Sequence, residues 1–425
     1  MKMIGQRQRF GSHLGLDRIV RVCEILGNPQ KQLKFIHVAG TSGKGSVSSF
    51  LTAVLQRSGF KVGLFTSPHL EHYSERFRVN GNTIDLNTLE SVLARAEAAC
   101  KQVEEQHPSL GPVTEFELAT AAGFLFFLEA AAEVVVLETG LGGRLDATNV
   151  VTPLLSVITT VNLDHQDRLG STLEEIAREK GGIIKSGVPV ISGVKSPAAE
   201  RVLREIALAE GAPFHSTSGV AWVGLGWSLA GGRLLFPGFG EVGIGLLGDH
   251  QLENAATALL ALKELRNLGY NLPSAAIYEG MQGVVWPGRL EVLSQEPLRL
   301  LDGAHNEEGI LALAKSLYQL QSELGIGKFT FLLGMLHNKE LKIIDPLLPL
   351  AERFIFTEAE SGRLAPMDPS ILVDYVESQG YQAQACPNLT QALTLAQGDF
   401  PLCICGSLYL VGSVKRILRS QSGMI

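Results

Sequence analysis

An α/β fold, with a large N-terminal domain around a mostly parallel sheet and a smaller Rossmann-like domain behind it, is predicted by three features of the sequence. A strand, a glycine-rich turn, a helix and a second strand follow one another between Leu33 and Phe65. Several short strands are apolar throughout and end in polar or charged residues, as expected where a parallel sheet is covered on both faces. After Trp286-Pro287-Gly288 a regular alternation of strands and helices begins anew. At 425 residues the chain exceeds the usual size of one hydrophobic core, so two domains are expected.

The first strand is Leu33 to Val38, and it runs through a glycine-rich turn into a helix from about Lys44 to Ser58, closed by Gly59. A second strand, Lys61 to Phe65, ends in Thr66-Ser67-Pro68-His69, and this βαβ order implies parallel strands with a right-handed crossover. Further strands are expected at Glu133 to Leu137 and Leu154 to Val161. Short antiparallel strands are expected between Ser216 and Val242, and a helix at Gln251 to Leu268. A boundary falls around Trp286 to Pro297. Beyond it the pattern reads strand (Leu298 to Leu301), helix (Glu307 to Leu324), strand (Phe329 to Leu333) and helix (Lys339 to Ala351). Then come a strand (Arg353 to Thr357), a helix (Pro369 to Gln379) and a last strand, Leu402 to Cys405.

Composition narrows the function. A net charge of -7 without a dense Lys/Arg run offers no attraction to nucleic acid, so anionic ligands need local devices such as helix N-termini, a few cations or metal ions. Five cysteines without a C-x-x-C pair suit a reduced compartment, and Cys403 and Cys405 read as buried small hydrophobes. Met1 to Phe10 is polar and basic, and no window holds about 18 uninterrupted apolar residues. A cytoplasmic protein without a membrane partner is expected.

Three segments carry chemistry. Gly40-Thr41-Ser42-Gly43-Lys44-Gly45-Ser46 lies between strand and helix, where glycines let the backbone wrap a phosphate and the helix N-terminus and Lys44 supply positive charge. It departs from the strict phosphate-loop pattern, with Val38 at the first glycine position and Gly45 between Lys44 and Ser46; a tight structural turn is the competing reading. Glu138, at the end of an apolar strand, is the first magnesium candidate. Asp146, in the glycine-rich loop that follows, reads as either a ligand or an Asx-turn cap. His165, in Asn162-Leu163-Asp164-His165, reads as a ligand or orienting group, or as a structural histidine. In the next helix Ser171 and Glu174 are expected to form a capping box, and Glu174 and Arg178 an exposed pair. Lys180 falls on the apolar stripe of Leu173, Ile176 and Ala177, as a snorkelling side chain or as an active-site lysine turned inward.

Taken together these residues resemble the folylpolyglutamate synthase and dihydrofolate synthase family, within the wider Mur-type ligases. The collinear matches run from His37 to Ser46, Phe65 to Leu70, Glu138 to Asn149, Asp164-His165, Glu179-Lys180 with Gly182 to Lys185, and Gly248 to Ala255. They continue through Trp286 to Arg289, Leu301 to Asn306, and Gly406 to Tyr409. The resemblance implies a P-loop-type ATPase domain of Mur-ligase kind over 1–295 and a Rossmann-like glutamate-binding domain over 296–425. It implies that Gly43, Lys44, Gly45 and Ser46 hold ATP phosphates, that Asn254, Arg289 and Asp302 contact the nucleotide, and that Ser67, Glu138 and His165 coordinate magnesium, at one or two sites. By the same analogy Lys180 is carbamylated, His305 and Ser407 lie near the glutamate site, and Asp146 holds the pterin part of the substrate. Lys44, Lys180 and His305 are the catalytic candidates. The implied activity adds L-glutamate to a folate, and also to dihydropteroate, through an acyl phosphate in a monomeric enzyme of folate and one-carbon metabolism. Rivals are another Mur-type amide ligase and a P-loop kinase or nucleotide-binding module. Ser42 stands where the family usually has Asn, and Met335 to Glu340 replaces a segment that commonly carries Asp-Lys-Asp.

Overall fold

The structure, a computed structural model, describes Ile4, Arg7 and residues 15–359, 365–398 and 400–422. Apart from Ile4 and Arg7, the polar N-terminal stretch read from the sequence lies outside the described residues.

Eight strands form the first sheet: β1 Phe35–Ala39, β2 Val62–Phe65, β3 Phe77–Val79, β4 Asn82–Thr83, β5 Val134–Glu138, β6 Leu155–Ile158, β7 Val190–Ser192 and β8 Phe214–Ser216. Their order is β4-β3-β2-β5-β1-β6-β7-β8, parallel from β2 to β8, with β3 and β4 added antiparallel at one edge. Alternation along β5 divides two cores. Val134 and Val136 join Ile36, Val38 and the helices Lys44–Arg57, Asp249–Asn267 and Ser274–Gln282 on one face. Val135 and Leu137 join Phe35 and the helices Asp17–Ile25, Leu86–Gln106 and Glu115–Glu129 on the other.

Strands β9 Val223–Ser228, β10 Gly231–Phe236 and β11 Gly240–Ile244 make a small antiparallel sheet whose Leu234, Phe236, Val242 and Ile244 close the first of these cores. The third sheet comprises β12 Glu291–Gln295, β13 Leu298–Leu301, β14 Phe329–Leu333, β15 Ala351–Phe356, β16 Ala383–Ala385 and β17 Leu402–Cys405, in the order β12-β13-β17-β14-β15-β16. All its pairings are parallel except that of β12 with β13.

Two local expectations are corrected. The α-helix expected from Lys339 to Ala351 is a 3-10 helix, Leu341–Leu350, because Pro346 and Pro349 lack the N-H that an α-helical ladder needs. Helix Leu173–Gly181 is capped by Thr172, whose Oγ1 accepts from Glu175 N while the Glu175 carboxylate receives the N-H groups of Ser171 and Thr172. The box therefore sits one residue later than the Ser171 and Glu174 reading, and Glu174 approaches Arg201 at 4.0 Å instead of Arg178. Among the described residues no helix is long and apolar enough to cross a membrane.

Candidate active site

Because β1, β2, β5 and β6 are parallel, the loops leaving their C-terminal ends meet in one crevice, where open α/β sheets place ligands. The loop after β1 is held by the loop after β6. Thr160 Oγ1 accepts from Ser42 N (2.9 Å), Thr159 Oγ1 donates to Ser42 O (2.5 Å), and Thr41 Oγ1 donates to Asn162 O (3.2 Å). Gly43 adopts φ +82, and a Cβ there would come within 2.3 Å of Asn254 Oδ1, so both conformation and space demand glycine. At Gly45 a Cβ would meet the Trp286 indole at 2.9 Å. Helix Lys44–Arg57 thus presents its first N-H groups from a turn that carries no Cβ at Gly43 or Gly45. Lys44 folds back over it, Nζ donating to the carbonyls of Gly40 (3.0 Å) and Thr41 (3.2 Å).

Glu138 ends β5 on the same face as Val134 and Val136, toward the phosphate-type loop. It is 4% exposed, and its carboxylate takes one hydrogen bond from the described residues, Ser67 N at 3.3 Å. Burial pushes its pKa up to about 7 against the opposing pull of Lys44. A desolvated carboxylate so sparsely bonded is matched to a hard cation, and the cavity it lines is shared by Gly45, Ser67, Arg78, Trp286 and Arg289. Among the described residues no three His, Cys, Asp or Glu side chains converge as a ready-made metal centre. Magnesium needs no such centre where one or two carboxylates are complemented by phosphate oxygens and water.

Lys180 is 2% exposed, and its side-chain amine forms no hydrogen bond or ion pair among the described residues. Burial, and then the charge of Lys44, lowers its pKa to about 7. The inward orientation, not the snorkelling one, is what the structure contains. His165 takes a left-handed backbone (φ 50) and keeps an exposed ring, with Nε2 at 4.0 Å from Asp164 Oδ1. The charge of Lys44 acts on Glu138, Lys180 and His165 alike.

Asp146 is buried, and its carboxylate receives four hydrogen bonds from its own loop: Gly140 N (3.0 Å), Leu141 N (2.8 Å), Thr148 N (3.0 Å) and Thr148 Oγ1 (2.5 Å). The cap reading describes its geometry. On the far side of the crevice Asp302 accepts from Leu290 N (2.7 Å) and Ala304 N (2.8 Å), and so anchors the Arg289 segment to β13. His305 Nδ1 donates to Gly303 O at 2.8 Å, leaving Nε2 as an acceptor, and burial lowers its pKa to about 4. Ser407, 2% exposed, accepts from Tyr409 N at the start of the helix Leu408–Ser422. Since Gly406 N donates to Ala304 O, His305 and Ser407 share the ends of neighbouring strands β13 and β17.

Several participants were not singled out from the sequence. Ser42 Oγ donates to Glu308 Oε2 (2.6 Å), and Asn306 Nδ2 donates to Asp164 Oδ2 (3.1 Å), so the first turn of helix Glu307–Leu324 rests on both loops of the first sheet. Arg78 stacks over Trp286, 5.5 Å from the ring centroid. The Trp286-Pro287-Gly288-Arg289 motif was the visible signal for this contact; the pairing partners of Ser42 and Asp164 left none.

Comparison with known proteins accords with this geometry. Residues 38–262 match the Mur ligase middle domain, and residues 291–419 the C-terminal domain of dihydrofolate synthetase. The dihydrofolate synthase/folylpolyglutamate synthase of Bacillus subtilis is 34% identical, over 97% of each chain, and the folylpolyglutamate synthase of Lacticaseibacillus casei 33% identical, over 94% of each. Mycobacterium tuberculosis folylpolyglutamate synthase complexed with ADP superposes with a TM-score of 0.89 at 28% identity, over 98% of this chain and 96% of that one. E. coli FolC in complex with DHPP and ADP superposes at 0.84 and 30% identity, over 97% and 94%.

Proposed function

Because the chain belongs to the folylpolyglutamate synthase and dihydrofolate synthase family of Mur-type ligases, we infer the division of labour in its crevice from that premise. The chain is an ATP-dependent ligase that joins L-glutamate to folates. The observation carrying the site assignment is the phosphate-type loop set beside an under-bonded buried carboxylate, with Lys44 folded over the loop and its charge acting on that carboxylate.

Amide formation from a free carboxylate is uphill in water, so the folate carboxylate first attacks the ATP γ-phosphate. ADP leaves, and the neutral amine of glutamate then attacks the acyl carbon of the resulting acyl phosphate, forming the amide and expelling inorganic phosphate and a proton. The protein's part is positioning and charge neutralisation. In our reading Gly43, Lys44, Gly45 and Ser46 hold the phosphates, while Asn254, Arg289 and Asp302 border the nucleotide. Magnesium supplies charge neutralisation at the phosphates; Glu138 would hold it, with Ser67 and His165 as further donors. Lys180 in neutral form is a nucleophile for CO₂, and its burial without a partner supports carbamylation to an anionic oxygen donor. His305, with Nε2 unprotonated, offers the incoming amino acid an acceptor, and Ser407 stands beside it.

Dihydropteroate is the second proposed acceptor, with the Asp146 loop facing the pterin. The nucleotide-binding part is taken as 1–295 and the glutamate-binding part as 296–425, β12 being the strand that the first contributes to the third sheet. A monomer in the cytoplasm completes the reading, the latter supported by five buried, unpaired cysteines. The test is ATP turnover with dihydropteroate or tetrahydrofolate, with and without L-glutamate, products being identified by mass. A ligase requires all three substrates and yields a product one glutamyl unit heavier. Rapid ATP hydrolysis without acceptor or glutamate, and no mass increment, would point to the kinase or nucleotide-module alternative.

A further inference from the structure

Strand β1 sends Ile36 and Val38 to the core beneath the phosphate-type loop and Phe35 to the opposite core, so His37 points with Phe35, away from the nucleotide side. It is fully buried. Nε2 lies 2.8 Å from Thr148 Oγ1, and Nδ1 has no hydrogen-bond partner. Counting protons along the chain fixes the tautomer. Burial raises the Asp146 pKa, but N-H groups on both oxygens favour the carboxylate, and with Thr148 Oγ1 2.5 Å from Oδ1 the single hydroxyl proton of Thr148 goes to that carboxylate. Thr148 must then accept from His37, which carries its proton on Nε2. Desolvation, with the pKa lowered to about 3, keeps the ring neutral.

A leucine would fill this core position without an unpaired ring nitrogen, and such a nitrogen is costly where water is excluded. The imidazole therefore serves something other than packing. What it reaches, through Thr148, is the carboxylate that pins the N-H groups of Gly140 and Leu141, the first residues beyond Glu138-Thr139. We infer that His37 is a positioning residue which, through Thr148 and Asp146, holds the glycine-rich loop 140–146 in its folate-receiving shape without touching substrate. This rests on the reading that the loop meets the pterin-bearing substrate.

Four variants test it. His37→Gln places an amide N-H where Nε2-H was and keeps the donation to Thr148; His37→Leu removes it at similar size. Thr148→Ser keeps the hydroxyl link and Thr148→Val removes it, so the idea stays testable if one histidine variant fails to fold. Steady-state kinetics on purified enzyme should show KM for tetrahydrofolate or dihydropteroate raised on the order of tenfold in His37→Leu and Thr148→Val, the weight of one buried hydrogen bond. KM for ATP should stay near wild type, and His37→Gln and Thr148→Ser should restore the pteridine KM. Exchange of the Gly140 and Leu141 amides, measured without ligands, should accelerate in the first pair only. His37→Leu should also unfold at the same or a higher temperature than wild type. Unchanged pteridine KM and unchanged amide exchange in His37→Leu, or a defect in His37→Gln equal to that in His37→Leu, would overturn the role. A wild-type protein inactive on both pteridines overturns the folate reading instead, and the amide exchange still decides what His37 does.

Discussion

Lys44, Glu138 and Lys180 differ in what burial costs them, and that difference makes their roles separable. Lys44 rests on two carbonyls of its own loop and supports no core, so Lys44→Ala should fold normally while turnover falls roughly 10²–10³-fold, the scale of losing one charge at a developing anion. Circular dichroism and steady-state kinetics on the same preparation check this, and normal turnover in the folded variant removes the loop from the mechanism. Glu138→Gln should keep ATP turnover low at any magnesium concentration and flatten its magnesium dependence; a wild-type magnesium titration curve would show that Glu138 is not a ligand. For Lys180 the sign follows from proton binding. Its folded pKa is about 7 and the ordinary lysine value 10.5, so between these the unfolded chain holds the proton that the folded protein lacks. Stability linked to Lys180 therefore rises with pH through that window and is lowest at and below about 7. Lys180→Met should abolish ligation and yet raise the stability of the ligand-free protein at pH 7, by on the order of a few kcal/mol, with a smaller gain near pH 10. Urea unfolding at the two pH values measures it, and equal gains would mean that the amine is not desolvated.

Elements were legible where a local rule acted alone. Strands β13, β14 and β17 and helix Glu307–Leu324 begin and end where apolar runs, Asn306 as cap and Gly325 as stop place them. The phosphate-type loop was readable because Gly43 answers a positive φ and Gly45 a close indole, both properties of the residue itself. Lys180 was readable as an anomaly of period. What failed was competition between neighbours: Ser171 and Thr172 are both good caps, and only the position of Glu175 decides for Thr172. The helices Leu86–Gln106 and Glu115–Glu129 went unassigned although Asp85 and Thr114 cap them, since Glu115–Glu129 is buried almost all round and shows little period. Contacts between distant loops, such as Ser42 with Glu308, have no local signature at all. The cap makes its own prediction: Thr172→Ala should cost ~1 kcal/mol of stability in urea and Ser171→Ala next to nothing. The reverse order would favour a box of Ser171 and Glu174 instead.

At the scale of the whole molecule, the proposed division of labour requires that an acyl phosphate built on the first sheet meet an amine held near the third. Among the contacts that join the two, the first turn of one helix, Glu307–Leu324, touches the loops nearest the phosphate-type turn. Glu308 accepts from Ser42 of the phosphate-type loop, and Asn306 donates to Asp164, the neighbour of His165. Asn306 has a second task, because its Oδ1 accepts from Gly309 N and caps the helix. Asn306→Asp separates the tasks: a carboxylate still caps, and caps well at a helix N-terminus, but it faces Asp164 with like charge where the amide had donated. The helix should therefore persist while the closed arrangement is disfavoured. We predict that Asn306→Asp keeps the melting temperature and the KM for ATP near wild type and lowers kcat about tenfold, equivalent to ~1.4 kcal/mol. The radius of gyration with nucleotide bound, from small-angle scattering, should also increase. Asp164→Asn in the same chain removes the repulsion and should recover part of the compaction, even if its place beside His165 limits the recovery of rate. Unchanged scattering and kcat in Asn306→Asp would mean that the two sheets are held together by other contacts, such as Arg419 with Glu71 at 3.2 Å, and that the helix turn only reports their closeness.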